Sequence, residues 1–126
     1  MPCRGIRGAT VARADSRAAI LDATRELLEA LIAANDVQSD DVASVFFTTS
    51  PDLTAEYPAL AARELDWTDT ALMCMQEIAV PTELDRCIRV LIHWNTDKRP
   101  DEIQHCYLGE AERLRPDRAR AAQIAR

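Results

Sequence analysis

The chain is poor in the residues that covalent and metal-dependent enzymes use. It has only two histidines, His93 and His105. A Ser-His-Asp or Cys-His machine is therefore poorly supported. No G-x-S-x-G, P-loop or G-x-G-x-x-G occurs, which removes the usual signatures of hydrolases, phosphate-loop enzymes and dinucleotide binders. The cysteines Cys3, Cys74, Cys87 and Cys106 show no framework spacing and are expected as reduced thiols. No C-x-x-C or H-x-x-x-H pair exists, so no zinc site or other metal is expected. No apolar run is long enough to span a bilayer. The N-terminus lacks a hydrophobic signal core, so the expected location is the cytoplasm. Excess positive charge is also missing. The net charge is −6 and the sequence pI is about 4.9. Both argue against a nucleic-acid or anionic-membrane partner.

What is present fits one soluble domain. The 126 residues are 48% hydrophobic and 29% charged, enough for a core and ordinary for a globular chain. The charge is uneven. The first fourteen residues hold Arg4, Arg7 and Arg13 and no acid. Residues 109–126 hold Arg113, Arg115, Arg118, Arg120 and Arg126 against Glu110, Glu112 and Asp117. Local arginine clusters on an acidic protein can still focus a small anion into one cleft.

Hydrophobic spacing predicts a strand over 4–12 and a helix capped by Asp15 or Ser16 and running to about Ala34. Ile20, Ala23, Thr24, Leu27, Leu28, Leu31 and Ile32 form that helix's buried stripe. Gly5 and Gly8 weaken the first strand and mark close backbone approach. A second strand spans 42–49, and Ser50-Pro51-Asp52 breaks it. Tyr57-Pro58 opens a second helix that ends near Leu65. A third strand covers 71–75, an irregular connection 76–85, and a fourth strand 87–94. Residues 103–108 suit a short fifth strand carrying His105 and Tyr107 on one side. The expected fold class is α+β: a single two-layer domain, a mixed β-sheet with helices packed on one face. The other face is a natural place for subunits to meet.

The fourth strand carries an arginine inside an apolar run, Cys87-Ile88-Arg89-Val90-Leu91-Ile92-His93-Trp94. Side chains alternate across a strand, so Ile88, Val90, Ile92 and Trp94 share one face. Cys87, Arg89, Leu91 and His93 share the other. A guanidinium aimed from a strand suits oxyanions. It equally suits the wet face of an antiparallel sheet. Arg7, Cys74, Glu77 and Tyr107 lie on or beside other strands, and two arginines with a tyrosine hydroxyl could hold a dicarboxylate. Each also has an ordinary reading: Arg7 as a surface arginine, Glu77 as a loop acid, Cys74 as a small buried hydrophobe. Tyr107 and Tyr57 read equally as packing residues. Arginine is a poor proton shuttle, so this inventory favours binding and charge stabilisation over acid–base or covalent chemistry.

Several segments together resemble one family. They are Arg4-Gly5-Ile6-Arg7-Gly8-Ala9-Thr10, Thr49-Ser50-Pro51-Asp52-Leu53-Thr54-Ala55, Pro58-Ala59 with Ala61-Ala62-Arg63-Glu64-Leu65, Cys74-Met75-Gln76-Glu77, Cys87-Ile88-Arg89-Val90, His105-Cys106-Tyr107-Leu108 and Leu114-Arg115-Pro116-Asp117. In this order and spacing they are similar to the AroH-type chorismate mutases, over roughly residues 3–117. The resemblance implies a catalytic domain over 1–117 and a flexible tail over 118–126. It implies a homotrimer with a pseudo-α/β-barrel core and active sites in clefts between subunits. The implied reaction is chorismate to prephenate, a [3,3]-sigmatropic Claisen rearrangement in phenylalanine and tyrosine biosynthesis. No cofactor or covalent intermediate is implied.

By the same resemblance, Arg89 is the cation at the breaking ether bond. Arg7 and Tyr107 contact carboxylate or ether oxygens. Glu77 accepts from the ring hydroxyl, with Cys74 nearby. Tyr57 comes from a neighbouring subunit. Arg63, Leu114 and Arg115 border the mouth. Leu60 departs from the pattern, because relatives usually carry lysine there, and the Asp66-Trp67 turn is shorter than in some of them. Two other readings differ in class: a non-catalytic module for small carboxylates, and a deaminase-like or RNA-processing relative with a trimeric two-layer fold. The acidic charge weighs against the latter.

Overall fold

The computed structural model describes residues 1–81 and 84–114. The tail expected over 118–126 and the site residue Arg115 lie outside the described residues. Strand β1 (Cys3–Val11) leads to helix α1 (Arg17–Asn35), strand β2 (Val42–Thr49), helix α2 (Ala59–Glu64) and strands β3 (Ala71–Gln76), β4 (Cys87–Asn95) and β5 (Cys106–Tyr107). Helix α1 begins where the Ser16 hydroxyl accepts the Ala19 N–H, satisfying one orphan donor of the first turn. It ends at Asp36, whose φ of 55° puts it in the left-handed region, a common helix stop.

The strands form one mixed sheet in the order β3-β2-β4-β1-β5. β4 lies at its centre, antiparallel to both β1 and β2, and β3 and β5 run parallel to β2 and β1. The period-two pattern decides the two faces. Ile6, Val45, Phe47, Val90, Ile92 and Trp94 point toward the helices and are buried with Leu27, Leu28 and Leu31. Ile88 joins Ala12, Ala19, Ile20 and Leu53 in an adjoining cluster. At Gly8 a Cβ would stand 3.0 Å from the Cys106 carbonyl oxygen and from a methyl of both Leu27 and Leu31. Glycine there lets α1 and β5 close on β1.

The predicted fifth strand is much shorter than 103–108. Gln104, which would extend it, is taken by Asn35 at the end of α1. The Asn35 amide donates to the Gln104 carbonyl at 2.9 Å and accepts its N–H at 2.8 Å. A buried side chain has replaced one rung of the ladder. The opposite sheet face carries Arg7, Ala9, Phe46, Thr48, Met73, Met75, Arg89, Leu91, His93 and Tyr107, by register. Among the described residues no α-helix covers it; the short 3-10 helix Gly109–Leu114 packs only against Ala9 and Tyr107 at its β1–β5 end, and Met73 is 53% exposed.

Candidate active site

β4 delivers Arg89 to this open face, between Ala9 of β1 and Thr48 of β2. Its Nε lies 3.9 Å from Glu77 Oε2, and the two side chains are 20% and 31% exposed. Glu77 is held in turn from β2. The Thr48 hydroxyl donates to Glu77 Oε2 at 2.6 Å, and the Glu77 backbone N–H donates to the Thr49 carbonyl at 2.8 Å. The ladder thus continues one residue past β3 and aims the carboxylate across the sheet at Arg89.

Arg7 stands opposite Leu91, two residues along from Ala9, which faces Arg89. Tyr107 faces Ala9 from the other side. Arg7, Thr48, Glu77, Arg89 and Tyr107 line one cleft of about 520 Å³, with Phe46, Met75 and Leu91 supplying apolar wall. The Tyr107 ring is packed against Ala9 and Ala111, with Leu114 partly buried beside them. Its hydroxyl is buried and has no hydrogen-bond partner among the described residues. An unsatisfied hydroxyl is uncommon in a folded interior. Two guanidinium groups, one carboxylate and the hydroxyl-bearing Thr48 and Tyr107 on the sheet have the chemistry to hold a small anion.

A second cleft of about 290 Å³ opens on the far side of the Arg89–Glu77 pair, reaching Ser50, Asp52 and Cys87. Its rim is pinned by hydrogen bonds. Asp52 accepts the Arg86 N–H at 2.9 Å and the Ser50 hydroxyl at 2.5 Å. Ser50 accepts the Cys87 N–H at 2.9 Å. Arg86 has a φ of 52°, and its Nε donates to the Ala12 carbonyl. This network sets the entry angle of β4 two residues before Arg89.

The remaining residues named from the sequence gather elsewhere. Cys74 pairs with Phe47 and points to the helix side of β3. There it shares a cleft of about 390 Å³ with Tyr57, Leu60 and Arg63. Within one chain, Cys74 is therefore not brought beside Glu77. The parity signal was present: residues 73, 75 and 77 share a face that 74 does not. Burial raises the Cys74 thiol above its ordinary range, opposed by the Ala59 N–H and Arg63, so it stays protonated at neutral pH. Tyr57 is 71% exposed, and Arg63 is exposed. Thr48 belongs to none of the sequence motifs, although its parity in β2 matches that of Phe46 on the open face.

The family model for chorismate mutase type I matches residues 3–118. The chain is 49% identical to chorismate mutase AroH of Thermus thermophilus over 115 residues, covering 90% of this chain and 94% of that protein. It is 43% identical to chorismate mutase AroH of Bacillus subtilis (strain 168) over 118 residues, covering 93% of each. The fold matches a solved chorismate mutase from Clostridium thermocellum with a TM-score of 0.86 and 46% identity, over 88% of this chain and 99% of that one. A five-stranded mixed sheet, a cleft lined by two arginines on its open face and these likenesses together place the chain among the type I, AroH-like chorismate mutases, which are isomerases.

Proposed function

We propose that the open-face cleft binds chorismate and holds it in the compact conformer that rearranges to prephenate. The observation that carries this reading is the gathering of Arg7, Arg89, Glu77 and Tyr107 around one cleft of the open face. Arg7 and Tyr107 bind carboxylate or ether oxygens through charge-assisted hydrogen bonds. Glu77 accepts from the ring hydroxyl. Arg89 faces the ether oxygen, where negative charge grows as the C–O bond breaks. A fixed cation there favours the transition state over the ground state. An acceleration of about 10⁶-fold corresponds to roughly 8 kcal/mol. One pre-aimed charge and the restraint of the reactive conformer together account for an effect of that size.

In this reading the working form is a homotrimer. The open sheet faces meet at its centre, and Tyr57, Arg63 and Cys74 of one subunit complete the cleft of the next. Leu114 and Arg115 border its mouth. The exposed Met73, Met75 and Tyr57 support it, since apolar groups of this kind are commonly covered by a partner. We assign residues 1–117 to the catalytic domain and the protein to the cytoplasm. No helix among the described residues is long and apolar enough to cross a membrane.

The test is spectrophotometric. Purified protein should consume the chorismate diene absorbance and yield prephenate without added metal or cofactor. Arg89→Ala should lower kcat by at least about 10²-fold, the scale of losing one transition-state donor, while the circular dichroism spectrum is kept. Near-normal kcat in that variant would remove Arg89 from its role. A non-catalytic carboxylate-binding module would bind a dicarboxylate and leave chorismate unchanged, so the same assay separates the two. Light scattering that gave a monomer at assay concentration would overturn the shared-cleft reading.

A further inference from the structure

We infer that His105 is a positioning residue for Arg7. The inference rests on the reading that Arg7 binds the substrate. β5 pairs with β1 over only two residues, Gly8 with Cys106 and Ala9 with Tyr107. The Leu108 N–H donates to the Ala9 carbonyl at 2.9 Å. Continued toward the N-terminus, this parallel ladder would set the Arg7 N–H against the Gln104 carbonyl. That carbonyl is already committed to the Asn35 amide. The Arg7 N–H donates instead to Nδ1 of His105, at 3.0 Å. An imidazole thus takes the place of the missing rung.

The consequence lies in the Arg7 side chain. Arg7 is on β1 where the β5 ladder has ended, and its guanidinium must reach the cleft that Arg89 and Tyr107 line. The Arg7 carbonyl is tied to β5 through the Gly8–Cys106 bridge, so the Arg7 N–H is the group on that edge still to be held. The His105 ring supplies that hold, and its own chain position, between Gln104 and Cys106, is anchored by Asn35 and by the β5 pairing. Nδ1 serves as acceptor in the neutral tautomer whose proton is on Nε2. The pairing therefore also selects a tautomer. The result is a chain of contacts from the end of α1, through Gln104 and His105, to the backbone of an anion-binding arginine.

The test is a small set of variants assayed for kcat and KM with chorismate, each with its thermal midpoint. His105→Phe keeps the ring shape and removes the acceptor. It should lower kcat/KM about tenfold, within the range that slight misplacement of a binding group produces. His105→Asn presents an oxygen where Nδ1 stands and should recover activity to within about twofold, whereas His105→Gln, whose oxygen reaches the Nε2 position, should not. The deciding measurement is His105→Phe in an Arg7→Ala background. If His105 acts through Arg7, the second substitution should change kcat/KM by less than about twofold there, because coupled residues are not additive. An equal loss in both backgrounds would overturn the inference, as would failure of His105→Asn to recover activity. Should Arg7→Ala alone leave kcat/KM unchanged, the assigned role of Arg7 fails first, and the inference falls with it. If His105→Phe does not fold, the Asn and Gln pair carries the comparison: equal activity in those two would refute the role of Nδ1.

Discussion

Thr48→Val is the substitution whose effect the structure defines most closely. It removes one hydroxyl and replaces it by a methyl of nearly the same size. What is lost is the 2.6 Å hydrogen bond to Glu77 Oε2. That length lies in the range of a charge-assisted O–H···O⁻ bond, which contributes about 1.5–3 kcal/mol net. The Glu77 side chain is 31% exposed, so water replaces part of the bond, and the low end of the range applies. A loss of about 1–1.5 kcal/mol corresponds to about a five- to tenfold fall in kcat/KM. The mechanism is indirect: without Thr48 the carboxylate leaves its place 3.9 Å from Arg89 Nε, and both groups lose aim. Fold stability should fall by no more than about 1 kcal/mol, since valine suits a strand and offsets part of the lost bond. The assay is chorismate consumption at several substrate concentrations, with urea melts in parallel. Thr48→Ser keeps the hydroxyl and should stay within about twofold of the parent. Unchanged activity in Thr48→Val, or an equal fall in Thr48→Ser, would refute the reasoning.

Three further outcomes are expected. Leu60→Lys adds a cation to the cleft that holds Tyr57, Arg63 and Cys74. It should lower KM modestly with little change in kcat, and an unchanged KM at low salt would count against it. Asn35→Ala removes the amide that bonds Leu31, Gln104 N–H and Gln104 carbonyl. It should cost about 2–3 kcal/mol in urea unfolding, because buried partners are left unsatisfied; a cost under about 0.5 kcal/mol would show that water replaces it. The Asp15 carboxyl is held below its usual value chiefly by the Thr54 backbone N–H, with Ala55 adding a second. A depressed folded value means its stabilisation is complete above the ordinary aspartate pKa of about 3.9 and is lost as the pH falls through the lower, folded value. The thermal midpoint of the parent should fall more steeply than that of Asp15→Asn as the pH is lowered through that region, and parallel curves would exclude the linkage.

The alternation in Cys87–Trp94 was sufficient to read β4 and the side from which Arg89 projects. The helical stripe from Ile20 to Leu31 and its Ser16 cap were equally legible, because both signals are local. Gly8 was readable as a close approach, though not what it approaches. β5 is shorter than its strand-like spacing predicts, because a buried asparagine far away in sequence takes the Gln104 backbone. Cys74 and Glu77 lie three residues apart, and strand parity puts their side chains on opposite faces of the sheet within one chain.

By itself the sequence determined the element order, the polarity of each strand and the motif set shared with the chorismate mutases. Those properties depend on side-chain periodicity and on residues close in the chain. Only the tertiary structure decided that Thr48 carries Glu77 toward Arg89, that an imidazole finishes the β1 edge, and that Tyr107 lines the same cleft as two arginines. Each of these joins strands whose register is set by packing over α1 and by ladder hydrogen bonds between distant residues. No local pattern encodes that register.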